Sequence, residues 1–148
     1  MRAPLQAPPG FEARTRDSFA RQAAMATLGI TLEGVEPGVV TLHLPHRADL
    51  TQQHGFLHAG IVSTALDSAC GYAAFTLMPP EAAVLTIEFK VNLLAPARGP
   101  LLRVQGGVVK AGRTISVVDA RATQGDDHSL VATMTATVMT VLGRGIAG

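Results

Sequence analysis

The stretch HGFLHAG at residues 54–60 opens a segment in which nearly every residue as far as Met78 is apolar or small. The first charged residue after Gly60 is Asp67. At about 1.5 Å per residue, a helix from Gly60 to Met78 would span roughly 28 Å, the width of a small domain. Because a helix that is apolar all round belongs in the interior of a soluble protein, this segment is predicted to be the central helix of the fold.

One narrow stripe interrupts that apolar surface. At about 100° per residue, a set of small or polar residues shares one side of the helix: Gly60, Thr64, Asp67 and Gly71, flanked by Ser63 and Ser68. A single carboxylate therefore lies in a groove of small residues, near the helix N-terminus. Residue chemistry alone leaves two interpretations of Asp67 open: a buried ion pair with an arginine, or a catalytic base or nucleophile.

The composition excludes several classes of protein. A chain of 148 residues, 47% hydrophobic and 16% charged, is one compact domain rather than a disordered chain. The formal net charge of +1 gives no basic surface for nucleic acid. No signal peptide or membrane-spanning apolar run is evident, so no membrane partner is expected and the expected location is cytoplasmic. The single Cys70 is interpreted as a structural thiol in a reducing compartment.

The rest of the chain is predicted to be mainly β. Residues 1–14 are expected to be a disordered or extended lead-in, and a short helix is expected from Thr15 or Asp17 to Gly29. Strands are predicted at 30–35, 39–44, 84–94, 101–110, 114–123 and 130–142, before a frayed tail at 143–148. Antiparallel strands must bury one face, and only the central helix can cover it. The prediction is a single α+β domain over residues 15–142, a curved antiparallel β-sheet wrapped around one long helix.

Three sequence features together resemble a known family: QQHGFLHAG at 52–60, an acid nine residues after His58, and LTIEFKVNLLAPA at 85–97. The chain is similar, from about Leu28 to Leu142, to the hot-dog-fold acyl-CoA thioesterases of the phenylacetate-degradation (PaaI-like) type. The resemblance implies the hot-dog fold and hydrolysis of an aryl- or short- to medium-chain acyl-CoA. No cofactor is implied, since coenzyme A enters as part of the substrate. Gln52 and Ala59 replace the Asn and first Gly usual in this loop.

Five residues are candidates for catalysis. Asp67 is the predicted general base or nucleophile, and the hydroxyls of Ser63 or Thr64 are expected to oppose the rise in its pKa on burial. The backbone N–H groups of Ala59 and Gly60, at a helix N-terminus, are predicted to bind the thioester oxyanion. The resemblance further implies that Gln52 orients the carbonyl or the water and that Thr86 positions the water.

Substrate-binding residues are implied on both sides of the site. The resemblance implies that two segments line the coenzyme A channel, residues 93–98 and residues 111–116. Leu94 belongs to the first of them. Arg98 and Arg113 are then candidates for phosphate contact, which the guanidinium geometry suits. His58 is expected to hydrogen-bond within its loop and to face the substrate. His54 and His58 have a metal-like spacing, but no further ligands accompany them, so no metal site is expected.

The family also pairs its subunits, which implies a homodimer or a dimer of dimers. Loop 52–60 of one subunit would then face Asp67 and Thr86 of the other.

Two alternative functions remain open. The first is a hot-dog enoyl-CoA hydratase or dehydratase, in which His54 would pair with the acid. This sequence, however, lacks the proline-rich loop that such enzymes carry around that histidine. A non-catalytic acyl-CoA-binding protein would normally add a DNA-binding segment, for which residues 1–28 are too short and too weakly basic.

Overall fold

The computed structural model describes residues 3–148. Two short helices come first, α1 at Phe11–Arg21 and α2 at Ala23–Leu28. A hairpin follows, with strands β1 at Thr31–Glu36 and β2 at Val39–Pro45. After a 3₁₀ turn at Ala48–Leu50 comes the long helix α3, at Ala59–Phe75. The last four strands are β3 at Ala83–Leu93, β4 at Leu101–Ala111, β5 at Ile115–Gln124 and β6 at Ser129–Val141.

The six strands form one antiparallel sheet in the order β1-β2-β4-β5-β6-β3, with α3 packed on one face. The residues of α3 on the side opposite the polar stripe, such as Leu66 and Ala69, are fully buried against the sheet. A side chain at Gly106 of β4 would overlap the backbone of Ala69, so this glycine lets the helix approach the sheet closely. The predicted hot-dog architecture is confirmed.

The prediction for the N-terminal helix is wrong in detail. The helix begins at Phe11 rather than at Thr15 or Asp17, because Gly10 turns the chain with a left-handed φ of 78°. It is also broken at Gln22, whose extended backbone (φ −81°, ψ 96°) separates α1 from α2. Helix α1 therefore starts inside the segment 1–14 predicted as lead-in. The first two residues of that segment lie outside the described part of the chain.

Helix α3 ends earlier than predicted, at Phe75 rather than Met78. The hydroxyl of Thr76 donates to the carbonyl of Ala73 at 2.7 Å, a side-chain bond that competes with continuation of the helical ladder.

Each of the six strands begins and ends within one residue of its predicted bounds. Within residues 3–148, no helix combines the length and the apolar character that a bilayer span requires.

Strand β3 is an edge strand and leaves large apolar side chains uncovered. Leu85, Ile87, Phe89 and Leu93 are between 46% and 53% exposed, more than the exposed apolar residues of the other strands, which are 37% to 42% exposed. Exposed edges and apolar patches of this kind usually mark a surface that pairs with another chain. The site described next lies beside this edge.

Candidate active site

Asp67 lies on the side of α3 that faces β3, where it is partly buried. The hydroxyl of Thr86, on β3, donates to Asp67 Oδ1 at 2.8 Å. Burial raises the pKa of Asp67 above its ordinary value, and the hydrogen bond from Thr86 opposes part of that rise. No ion pair within residues 3–148 includes Asp67. The structural interpretation, a carboxylate neutralised by an arginine, is therefore not supported within one subunit.

The helix hydroxyls expected to assist Asp67 are engaged elsewhere. Ser63 Oγ donates to the carbonyl of Ala59, and Thr64 Oγ1 donates to the carbonyl of Gly60, both at 2.8 Å. The prediction that they stabilise the ionised carboxylate is wrong, because hydroxyls within a helix readily bond the carbonyl four residues earlier.

The N-terminus of α3 is capped by a histidine. His58 Nδ1 accepts a hydrogen bond from the backbone N–H of Gly60 at 2.8 Å, which confirms the expected hydrogen bond of His58 within its loop. This bond occupies one of the two N–H groups predicted to bind the oxyanion. The N–H of Ala59, the first helical residue, has no intrahelical acceptor by the geometry of a helix start. Ala59 is thus the more accessible donor at this positively polarised end.

Gln52 organises the loop that leads to α3. Its side-chain oxygen accepts from the backbone N–H groups of His54, at 2.6 Å, and Phe56, at 3.4 Å. Because both partners are donors, the carbonyl oxygen must be on this side of the amide. The NH₂ group of Gln52 is left to donate to another acceptor, such as a carbonyl oxygen or a water.

The candidate residues line two separate cavities. The first, of about 500 Å³, contains Asp67 and Thr86; the second, of about 380 Å³, contains Gln52, Ala59 and Leu94. Among the described residues, no residue lines both cavities. Asp67 follows Ala59 by eight residues, which is about 12 Å along the helix axis. Within one subunit, the acid and the loop donors are therefore too far apart to contact the same carbonyl group.

The two arginines predicted to bind phosphate lie at opposite ends of the sheet. The guanidinium of Arg98 is stacked over the Phe56 ring, 4.8 Å from its centroid, beside the second cavity. Arg113 is in the turn between β4 and β5, at the end of the sheet where β3 begins. One subunit therefore does not bring these two side chains together.

Cys70 is not a candidate nucleophile. Its side chain is fully buried, and burial, together with the charges of Asp67 and Asp119, raises the pKa of the thiol to about 12. In the described part of the chain, no three side chains of His, Cys, Asp or Glu are grouped in a way that could hold a metal ion.

Sequence reasoning missed part of the first cavity. Its wall includes Ser18 and Arg21 of α1, Tyr72 of α3 and the C-terminal residues 146–148. Ser18 Oγ and the Tyr72 hydroxyl are hydrogen-bonded at 3.2 Å. These residues come from widely separated parts of the chain, and no spacing in the sequence signals that they meet.

Comparison with known proteins agrees with this architecture. Residues 54–131, more than half of the chain, match the model of the thioesterase superfamily. A solved thioesterase family protein from Silicibacter pomeroyi is 57% identical, with a TM-score of 0.88, over 90% of this chain and 100% of that one. The PaaI protein of the phenylacetic acid degradation operon of E. coli has a TM-score of 0.84 over 93% of this chain and 98% of its own, at 17% identity. That likeness concerns the fold alone.

A sequence relative agrees with the same assignment. An inferred esterase of Halobacterium salinarum is 36% identical over 100 residues, which are 64% of this chain and 66%, just under two thirds, of that protein. The predicted resemblance to hot-dog thioesterases is confirmed, as is the prediction that the protein is an enzyme of this type. The chain belongs to the thioesterase superfamily.

Proposed function

We propose that the protein hydrolyses the thioester bond of an acyl-CoA, to the free acid and coenzyme A, in a site shared by two subunits. The observation that carries the proposal is the Asp67–Thr86 pair beside an open cavity. Thr86 holds Oδ1 of the carboxylate, so Oδ2 is left to accept a proton from water or to attack the carbonyl carbon. The raised pKa of Asp67 strengthens the carboxylate as a base.

The dimer follows from the exposed edge of β3. Leu85, Phe89 and Leu93 present apolar surface there, and in the sheet formed by residues 3–148 the backbone groups on the outer side of β3 have no neighbouring strand. A two-fold pairing of β3 with its copy would bury both. Such self-complementary pairing is the commonest route to a homodimer. A dimer of dimers would then need a second interface elsewhere on the surface.

The same pairing would complete the site. In two antiparallel copies of β3, the start of one strand lies beside the end of the other. The start of β3 lines the cavity of Asp67, and its end lines the cavity of Gln52 and Ala59. The pairing would therefore bring the acid of one subunit to the loop of the other. It would also place Arg113 of one copy at the same end of the joined sheet as Arg98 of the other.

The chemistry then follows from the groups present. The Ala59 N–H and the Gln52 amide donate to the thioester oxygen as it gains negative charge in the transition state. Asp67 removes a proton from the water that attacks the carbonyl carbon, or it attacks that carbon itself and water then hydrolyses the resulting acyl–Asp67 anhydride. In both routes the C–S bond breaks and coenzyme A leaves as the thiolate. Leu94 is 57% exposed and lines the second cavity, where it would contact the pantetheine arm. The buried, unpaired Cys70 favours a reducing compartment, for which we propose the cytoplasm.

The hydratase alternative is less well supported. It requires a histidine paired with the acid, but within the described subunit the hydrogen-bond donor to Asp67 is Thr86. His54 instead lies 3.4 Å from the side-chain nitrogen of Gln53, in an exposed loop. Because loop 52–60 is proposed to meet the acid only across two subunits, these contacts within one subunit do not exclude His54 of the other copy. The absence of the usual proline-rich loop around His54 is what disfavours the hydratase.

The proposal is tested by measuring thiol release from phenylacetyl-, hydroxybenzoyl-, short-chain and long-chain acyl-CoA with the native protein. Hydrolysis of at least one class is expected. Hydration of an enoyl-CoA without thiol release would favour the hydratase instead. Stoichiometric acyl-CoA binding without any turnover would identify a binding protein and overturn the proposal.

A further inference from the structure

The C-terminal residues 146–148, here called the tail, line the same cavity as Asp67. We propose that the tail forms the end wall of the acyl pocket and thereby limits the length of the acyl group that the enzyme accepts. This inference rests on the proposed function, because it assigns the cavity of Asp67 to the acyl part of an acyl-CoA. The tail is then a specificity-determining segment that lies far in sequence from the catalytic residues.

Two hydrogen bonds hold the tail in place. The backbone N–H of Gly148 donates to the carbonyl of Ala82, immediately before β3, at 3.1 Å. The guanidinium of Arg21, the last residue of α1, donates to the carbonyl of Gly148 at 2.6 Å. The tail is thus fixed between the first helix and the edge strand, which border the cavity together with α3.

The shape of the site also specifies a glycine at the anchored position. A Cβ atom at Gly148 would overlap the ring of Phe75, which is fully buried at the end of α3. Phe75 follows Asp67 by eight residues, so the anchor is about 12 Å from the acid along the helix axis. The tail therefore crosses the cavity at a distance from Asp67 that a compact acyl group could fill.

The direction of the acyl group follows from the position of the donors. From Asp67, the cavity wall continues along α3 through Gly71 to Tyr72, towards the C-terminus of the helix. The coenzyme A moiety of the bound substrate must extend from Asp67 in the opposite direction, where the partner's loop is proposed to lie. The acyl group is then directed at Tyr72 and the tail. A volume of about 500 Å³ lies within the usual range for small ligands, so a compact acyl group fits and a long fatty chain meets the tail.

The tail can be removed at little cost to the core. Ile146 is 46% exposed, and residues 143–148 form no helix or strand. Arg21 is itself exposed. Two variants therefore test the wall separately: deletion of residues 146–148, and Arg21→Ala, which removes one anchor only. Arg16→Ala is the matched control, since Arg16 is also on α1 but pairs with Glu12 and does not line the cavity.

The experiment compares kcat/KM for saturated acyl-CoA substrates from butanoyl to palmitoyl. We expect the ratio of long-chain to short-chain kcat/KM to rise by about tenfold or more in both tail variants, because one methylene that a pocket rejects is worth about 10–200-fold. The control should keep the native profile. Thermal melting by circular dichroism shows whether each tail variant is folded. If one of the two does not fold, the length profile of the other tests the proposal.

The two proposals fail in different ways. A native enzyme that is active, with an unchanged length profile in a folded tail variant, would overturn the role of the tail alone. A native protein that releases no thiol from any acyl-CoA would overturn the proposed function. The Kd values of non-hydrolysable thioether analogues of the same lengths test the wall independently of turnover: an unchanged length dependence of Kd in the tail variants would overturn it as well.

Discussion

Thr86 donates its hydroxyl hydrogen to Asp67 Oδ1 across the gap between the edge strand and the central helix, at 2.8 Å. Thr86 is opposite Val138 in the register of β3 and β6, and Val138 is fully buried beneath the helix, so Thr86 faces the same side. The register shifts immediately afterwards, between Thr86 and Glu88. A bulge at this point changes the direction of the edge strand beside the candidate site.

A second threonine–aspartate pair offers a matched control. Thr135 Oγ1 donates to Asp119 Oδ1 at 2.9 Å, on the exposed part of β5 and β6. It has the same chemistry as the Asp67–Thr86 pair, but it lines neither cavity near the site. Each substitution in one pair can therefore be compared with the same substitution in the other.

Asp67→Asn is expected to lower kcat by about 10²–10⁴-fold, because the amide cannot act as a base or nucleophile. Its shape is nearly unchanged, and KM should change much less. Asp119→Asn should keep native kcat. The measurement is steady-state thiol release with the best acyl-CoA substrate. A near-native kcat in Asp67→Asn would remove Asp67 from the mechanism.

Thr86→Val is expected to shift the acid limb of the pH profile of kcat/KM to higher pH. Burial raises the pKa of Asp67 above 3.8, and the hydrogen bond from Thr86 lowers it. Without that bond the carboxyl holds its proton to higher pH, so less of the enzyme is active on the acid side. Thr135→Val should leave the profile in place. A Thr86→Val profile that coincides with the native one would show that this bond does not control the ionisation.

Asp67→Asn should stabilise the fold at neutral pH although it lowers the activity. The folded pKa of Asp67 is raised above the unfolded value, so the stabilisation it contributes is present below the unfolded pKa and is lost as pH rises through the folded pKa. Asp67→Asn removes the buried charge. The variant should have a higher Tm than the native protein at neutral pH, and the difference should diminish towards acidic pH. Calorimetry across this range checks the sign; a lower Tm at neutral pH would contradict it.

The sequence predicts the fold well because its signals are periodic and local. The apolar run after Gly60 could only form a central helix, and alternating residues bounded by Gly and Pro define each strand to within one residue. The break at Gln22 has no such local signal. The Gln22 side chain accepts from Ser68 Oγ, 46 positions away, at 3.2 Å, which is a tertiary contact.

The candidate site was predictable only in part, for similar reasons. Asp67 stands out because it is the lone charge on an apolar helix, and the resemblance alone links it to Thr86. The hydrogen bond from the Gly60 N–H to the His58 ring depends on the rotamer of His58, which a separation of two positions in the sequence does not determine. Arg21 and Gly148 meet over 127 positions of sequence, so the end wall of the cavity is visible only in three dimensions.

Self-association should depend on the exposed side chains of β3. Phe89 is 46% exposed, and Phe89→Asp would place a charge in the proposed strand pairing. We expect the variant to be monomeric by light scattering and to lose most of its thioesterase activity, because each site would lack the partner's loop. Leu101→Asp is the control, since Leu101 is also an exposed apolar residue, at 40%, but lies on β4. A Phe89→Asp protein that remains a dimer with native activity would refute this interface.

The cap at His58 makes a separate prediction about stability. His58→Ala leaves the Gly60 N–H without its acceptor and should lower the free energy of unfolding by about 1 kcal/mol, a typical value for loss of an N-cap. His58→Asn should keep most of the stability, because Asn is a preferred N-cap residue. Denaturant titration measures both, with His54→Ala as a control in the same loop.

The same pair of variants separates capping from substrate contact. If His58 acts only as a cap, His58→Asn should keep native KM as well as native stability. If its ring also faces the substrate, as the resemblance implies, His58→Asn should raise KM while stability is retained, because Asn restores the acceptor for Gly60 but not the ring. Equal stability of His58→Ala and the native protein would show that the Nδ1 hydrogen bond to Gly60 contributes nothing to the start of α3.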